Sequence, residues 1–183
     1  MSRLAVGVRP ASHQARTENP MPRTNPPQVL PPVFKEVMAN VCTPVSIVTA
    51  LAGQRPHGTT VSALAALSLD PPMILVALDR HSELLAIIRL SRRFGVNVLG
   101  HGHRDLALRF AAKGHRKFDG VPWTTDTGVP RITGAVGWLA CSVDKLVPGG
   151  DHVITLGSVM TAETAGKPPL TYHARSFGTH QPG

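Results

Sequence analysis

A chain of 183 residues, 42 % of them hydrophobic and with a mean hydropathy of +0.02, is one globular domain's worth with or without a tail, and not a disordered chain. Two cysteines, Cys42 and Cys141, exclude a disulfide scaffold and a cysteine-built zinc site, and no apolar run approaches the roughly 18 residues of a membrane span. The formal charge of +8 is scattered rather than concentrated, and aromatic residues are only 4 %, which argues against a nucleic-acid reader that stacks bases.

Residues 1–32 read as a disordered tail. Pro10, Pro20, Pro22, Pro26, Pro27, Pro31 and Pro32 break any regular element, and no apolar stretch makes the segment a secretory signal. A folded domain is expected from 33 to 178, with a short tail at 179–183. Residues 34–41 predict a helix with Phe34, Val37, Met38 and Val41 on one side. Residues 44–51 (PVSIVTAL) predict a strand, AGQRPHG a turn, and residues 57–62 a second strand in a hairpin. Residues 63–69 are small and apolar and stop at Asp70-Pro71-Pro72. The continuous apolar run 73–78 (MILVAL) predicts a strand buried on both faces.

Ser82 is a candidate N-cap for a helix carrying Leu84, Leu85, Ile87 and Ile88, with Arg92 and Arg93 at its C-terminal end. Residues 94–99 alternate Phe94, Val96 and Val98 against Asn97, as a half-buried strand does. Residues 104–113 return to a helical period. Residues 114–131 predict a long loop, 135–146 and 152–161 two strands, and 168–175 a last short one. Six or seven strands joined mostly by tight turns make the chain mainly β with helical inserts. Antiparallel pairing favours a closed or nearly closed barrel. No glycine-rich phosphate loop of the nucleotide-binding folds occurs.

Four motifs bear on chemistry. His101-Gly-His103 with His115 has imidazoles but no carboxylate or thiol at ligand spacing, so no metal site is expected. Asp151-His152 beside several serines suggests hydrolysis, but Gly-x-Ser-x-Gly is absent and strand neighbours project to opposite faces. The basic stretch from Arg89 to Lys117 is either a solvated face or a patch for anionic phosphates. Gly58-Thr-Thr-Val-Ser-Ala63, followed by Leu67-Ser-Leu-Asp-Pro-Pro72, places hydroxyls and strand-end amides around an apolar segment. Such walls suit a flat ring. His152 begins a strand face that continues with Ile154 and Leu156. Both cysteines sit in apolar surroundings and read as buried thiols of a reducing compartment.

In order and spacing, Pro44-Val-Ser-Ile-Val-Thr, Gly58-Thr-Thr-Val-Ser-Ala, Ser68-Leu-Asp-Pro-Pro, Phe94-Gly-Val-Asn-Val-Leu and Gly150-Asp-His152 resemble the flavin reductase family. The resemblance runs from about Phe34 to Phe177 and implies an FMN-binding split β-barrel. It implies an NAD(P)H-dependent enzyme that passes a hydride to FMN or FAD and supplies reduced flavin to a partner monooxygenase. It also implies a cytoplasmic homodimer that binds neither nucleic acid nor membrane. Carried over, Thr59, Thr60, Val61, Ser62 and Ala63 meet the flavin ring, Ser68 and Leu69 its ribityl chain, and Arg80 and Ser82 its phosphate. Lys113 and Lys117 are further phosphate candidates. Many relatives in the resembling family carry Asn-Lys where this chain has Asp79-Arg80. His152 is the implied catalytic residue beside the nicotinamide (NADH or NADPH), with Tyr172 and Arg175 as further contacts. Two other functions compete: a flavin- or haem-binding barrel without turnover, and a nucleic-acid binder using the basic tail.

Overall fold

The computed structural model describes residues 30–181, so most of the Pro-rich segment lies outside the described residues. Helix α1 spans Pro31–Ala39, β1 Thr43–Pro44, β2 Ser46–Ala52, β3 Arg55–Val61, β4 Leu64–Leu69 and β5 Pro72–Asp79. Helix α2 (Glu83–Ser91), β6 (Arg93–Val98) and α3 (Arg104–Ala111) follow, then the hairpin β7 (Trp123–Asp126) and β8 (Val129–Ile132). The long pair β9 (Gly137–Gly149) and β10 (His152–Thr164) precedes β11 (Leu170–His173) and β12 (Ser176–Thr179). Pro31 and Pro32 open α1 rather than preventing it, because the first helical positions have no intrahelical N–H bond to lose.

Every strand pair is antiparallel, and seven strands form one sheet in the order β3-β2-β6-β9-β10-β5-β4. Its two edges, β3 and β4, are consecutive in the chain and meet only at the corner Ser62-Ala63. There Leu64 N–H donates to Ser62 O and Ala77 N–H to Ala63 O, each at 3.0 Å. No ladder joins β3 to β4, so the barrel stays open along this line. A three-stranded sheet, β1-β11-β12, abuts the barrel, with Leu170 N–H donating to Leu99 O and Val45 N–H to Leu170 O.

Strand alternation decides where the core sits. In β2, Val48 and Ala50 enter the barrel core with Val76, Phe94 and Val96, while Ile47 turns the other way onto Leu99, Phe110 and Ile132. Helix α2 plugs the barrel with Leu84, Leu85 and Ile88, all fully buried; each such burial stabilises by about 1.5–3 kcal/mol. Gly95 and Gly157 are close-packing positions: a β-carbon on either would lie 2.5 Å from the Trp138 or Phe94 ring.

Several expectations change. The 73–78 run is buried on one face only: Ile74, Val76 and Leu78 are inside, while Met73, Leu75 and Ala77 stay half-exposed. Strand β6 is not half-buried, since Phe94, Gly95, Val96 and Asn97 are all buried. The 114–131 loop contains the β7–β8 hairpin, and the small apolar 63–69 segment is edge strand β4. With β1 and β12, which the expectation also lacks, the described residues hold 12 strands. Cys42 is exposed, while burial pushes the Cys141 thiol up to about 12. Helix α1 buries none of its residues, so Phe34, Val37 and Met38 face outward, and Val41 just beyond it is exposed too.

Candidate functional site

The free edge of β3 carries the candidate site. Residues Thr60, Val61 and Ser62 line two cavities at once: one of about 250 Å³ with Ala63, Leu78 and His152, and one of about 700 Å³ with Tyr172 and Arg175. A third cavity, about 510 Å³, adjoins through Thr59, Asp79 and Ser82 and holds Lys113 and Lys117. The three adjoin through shared lining residues, and together they make a trough along the open seam of the barrel. An edge strand leaves N–H and C=O groups unpaired along its outer side, which suits the heteroatom-rich rim of a flat ring.

The threonine hydroxyls are already committed. Thr60 Oγ1 donates to Ala107 O at 2.7 Å and Thr59 Oγ1 to Phe110 O at 3.4 Å, fastening α3 against β3. Backbone groups of β3, not these side chains, therefore have donors to offer a ligand. Lys117 is similarly used: its Nζ donates to Phe110 O at 2.9 Å and Gly58 O at 3.3 Å, leaving one of three protons for a ligand. Burial holds its pKa below the ordinary lysine value.

Ser82 is the N-cap of α2, accepting from Leu85 N–H at 3.2 Å. Asp79 shapes the turn before it: its carboxylate accepts from His81 N–H at 2.7 Å and its carbonyl from Ser82 N–H. The acid that replaces the resembling family's asparagine therefore has a local structural task.

Strand β10 and its preceding turn place His152. Its Nδ1 lies 2.7 Å from Asp151 Oδ1; a carboxylate only accepts, so Nδ1 carries the proton. The two neighbours do meet, against the strand-alternation expectation, because Asp151 sits in the turn and only His152 in the strand. The imidazole in turn holds the Asp151 carboxyl below the usual carboxylate range. Val153, Thr155 and Gly157 take the buried face of β10, so His152 shares the outer face with Ile154 and Leu156.

Thr59, Thr60, Val61, Ser62, Ala63, Ser82 and His152 come together in one cavity, and Lys113 and Lys117 adjoin it. Tyr172 and Arg175 line the roughly 700 Å³ cavity, which shares Thr60, Val61 and Ser62 with the His152 cavity. Ser68 and Leu69 sit at the far end of β4, paired with Met73 and Pro72, and Leu69 is exposed; they line none of the three cavities. Arg80 lines none either, and its N–H donates to Asp151 O.

A cluster that spans three elements has no local sequence signal. Glu83 Oε2 lies 3.2 Å from both His57 Nε2 and His115 Nδ1, tying β3, α2 and the loop after α3. His115 is therefore engaged away from His101 and His103, and His103 Nδ1 accepts from Gly100 N–H. His57 Nδ1 is buried without a partner. Burial accordingly pushes the His57 pKa below its ordinary 6.5, although Glu83 pulls upward. For Glu83, burial acts upward, but His57 and His115 together draw its carboxyl below the usual range.

A depressed histidine pKa means that the unfolded chain binds the proton first. Stability from His57 is present above about pH 6.5 and is lost as pH falls through its lower native value. The melting temperature should therefore drop between pH 7.5 and 5, and His57→Gln should flatten that part of the profile. An unchanged slope in the variant would remove His57 as a source.

A flavin reductase like domain model matches residues 38–181. The chain is 33 % identical over 159 residues to the reductase subunit HsaB of a flavin-dependent monooxygenase from Mycobacterium tuberculosis, covering 85 % of each. It is 35 % identical over 161 residues to an NADH:riboflavin 5'-phosphate oxidoreductase of Streptomyces pristinaespiralis, covering 85 % of this chain and 92 % of that one. Among solved structures, the NADH:FAD oxidoreductase SgcE6 of Streptomyces globisporus C-1027 superposes with a TM-score of 0.78 at 30 % identity, covering 86 % of this chain and all of that one.

Proposed function

The chain belongs to the flavin reductase-like family, and from that premise we propose how its trough works. The protein is an NAD(P)H-dependent flavin reductase that supplies reduced flavin to a monooxygenase. The observation that carries the assignment to this site is the open seam, where the β3 edge, His152 and two lysines surround connected space. When bound, the nicotinamide supplies a hydride and the flavin accepts it. The residues present fit these groups: a backbone edge for a planar ring, and cations with a helix N-terminus for phosphate.

In this reading residues 59–63 position the ring against β3, and their rigidity follows from the α3 anchors of Thr59 and Thr60. Lys113, His81 and Ser82 at the start of α2 take the phosphate, with Lys117 behind them. His152 offers Nε2 to the ring rim or the nicotinamide amide, and since Nδ1 keeps its proton and donates to the Asp151 carboxylate, Nε2 donates only from the imidazolium. Ser68, Leu69 and Arg80 join this set only if a second copy brings them to it. Such a copy is part of the proposal: Met73, Leu75, Ile154 and Leu156 form a half-exposed apolar outer face beside exposed Leu67 and Leu69. We place the enzyme in the cytoplasm, where an exposed Cys42 thiol stays reduced. No helix among the described residues is long and apolar enough to cross a membrane.

The purified protein should oxidise NADH or NADPH only when FMN or FAD is added, followed by loss of the dinucleotide absorbance. It should sediment at twice the 19.5 kDa chain mass. Bound flavin or haem without turnover would favour the non-catalytic barrel, and salt-dependent DNA binding the nucleic-acid reading.

A further inference from the structure

The roughly 700 Å³ cavity has a feature that the proposed flavin site leaves unused. Helix α3 presents Arg104, Ala107, Leu108 and Ala111 to it, at the i, i+3, i+4 and i+7 spacing of one helix face. Two alanines leave room, Leu108 supplies an exposed apolar floor, and Tyr172 and Phe177 form an edge-to-face wall with centroids 5.2 Å apart. Among the described residues, no carboxylate lines the space. Of its two arginines, Arg175 is neutralised by Glu36 Oε2 at 2.6 Å, whereas Arg104 forms no ion pair among the described residues. The cavity thus joins the β3 edge at one end to an uncompensated guanidinium at the other, with apolar and aromatic surface between.

We propose that Arg104 binds the diphosphate of the nicotinamide dinucleotide, so that α3 sets the affinity for the reductant independently of the flavin. A guanidinium matches phosphate oxygens in a bidentate fork, and the apolar floor suits a nucleoside beside it. The ligand must reach from Thr60–Ser62, where the flavin ring lies, to the start of α3, and it must be anionic at the distal end. A dinucleotide meets both conditions, and its diphosphate is common to NADH and NADPH. This inference rests on the reductase reading of the β3 edge.

The test is Arg104→Gln in the full chain, with Arg89→Gln as a control that removes the same charge from α2 away from the three cavities. Arg104→Gln should raise KM for NADH and NADPH alike by about five- to tenfold at low salt, with kcat and the FMN dissociation constant unchanged. Calorimetric titration with ADP, which needs no turnover, should weaken by a similar factor in Arg104→Gln and not in Arg89→Gln. Equal ADP affinity in wild type and Arg104→Gln overturns the assignment even if reduction proceeds. So does a loss confined to NADPH, or one seen with FAD but not FMN. A wild-type protein that binds ADP through Arg104 yet never oxidises NADH would instead refute the reductase reading alone.

Discussion

Ser62→Trp should lower flavin-dependent NADH oxidation at least ~100-fold, about 2.7 kcal/mol of transition-state stabilisation, while the melting temperature stays within about 2 °C of wild type. Ser62 is exposed, follows the last residue of β3, and lines both the His152 cavity and the Tyr172 cavity. Its hydrogen bond is a backbone one, Ser62 O accepting from Leu64 N–H, so the side chain can change without breaking the corner. An indole on this ridge would fill much of the roughly 250 Å³ space and intrude on the neighbouring one. The flavin and the reductant would then lose their shared wall together. Ser62→Ala, which removes only a hydroxyl, should keep activity within about threefold if, as proposed, strand backbone positions the ring. Full activity in Ser62→Trp would mean that the reacting rings meet elsewhere.

The parts of this molecule that are legible in the sequence are those governed by one strand or one turn. The 44–51 and 57–62 segments announce a hairpin by β-branching and turn residues, and Ser82 announces α2 by its capping position. Residues 59–63 are identified through resemblance, and they fall on one continuous edge because they are consecutive along the chain. What escapes depends on partners distant in sequence. The Met73–Leu78 run looks identical whether both faces are buried in one chain or one face awaits another molecule. Asn97 interrupts an apolar alternation and so reads as solvent-facing, yet it is fully buried against the β7–β8 hairpin. That hairpin is itself hidden because Pro130 within β8 reads as a loop residue. The Glu83 cluster draws one residue from each of three elements, and Arg104 lies on a helix whose other cavity-lining residues are ordinary apolar ones. Asp151 and His152 defeat the alternation rule because strand geometry does not extend one residue back into the turn.

The second large effect is expected at Asn97, where Asn97→Ala should destabilise the fold by about 3 kcal/mol, lowering the melting temperature by roughly 6–12 °C for a domain of this size. Asn97 Oδ1 accepts from Ile132 N–H at 2.7 Å, while Nδ2 faces Ile47 O at 3.2 Å, Thr49 Oγ1 at 3.3 Å and Pro130 O at 3.5 Å. Thr49 Oγ1 in turn donates to Pro130 O at 2.6 Å, so one amide fastens the β7–β8 hairpin to β2 and β6 through a closed, buried network. Truncation leaves the Ile132 N–H buried and unpaired, which costs about 1–3 kcal/mol, and adds a cavity term beside Ile47 and Ile132. Asn97→Asp separates the two halves of the side chain. It keeps an acceptor for Ile132 but turns the other oxygen toward three acceptors, one of them a hydroxyl whose proton is already given to Pro130. The aspartate variant should therefore be worse than the alanine, either by burying an unpaired charge or by taking up a proton to avoid it. Such a variant should unfold at increasingly low temperature as pH rises from 5 to 8, whereas the alanine variant should not acquire that added slope. If Asn97→Asp instead matched wild type in a thermal melt, the donor half of the network would carry no stability, and the hairpin would be held by the acceptor half, the Thr49–Pro130 bond and the packing of Val129 and Ile132.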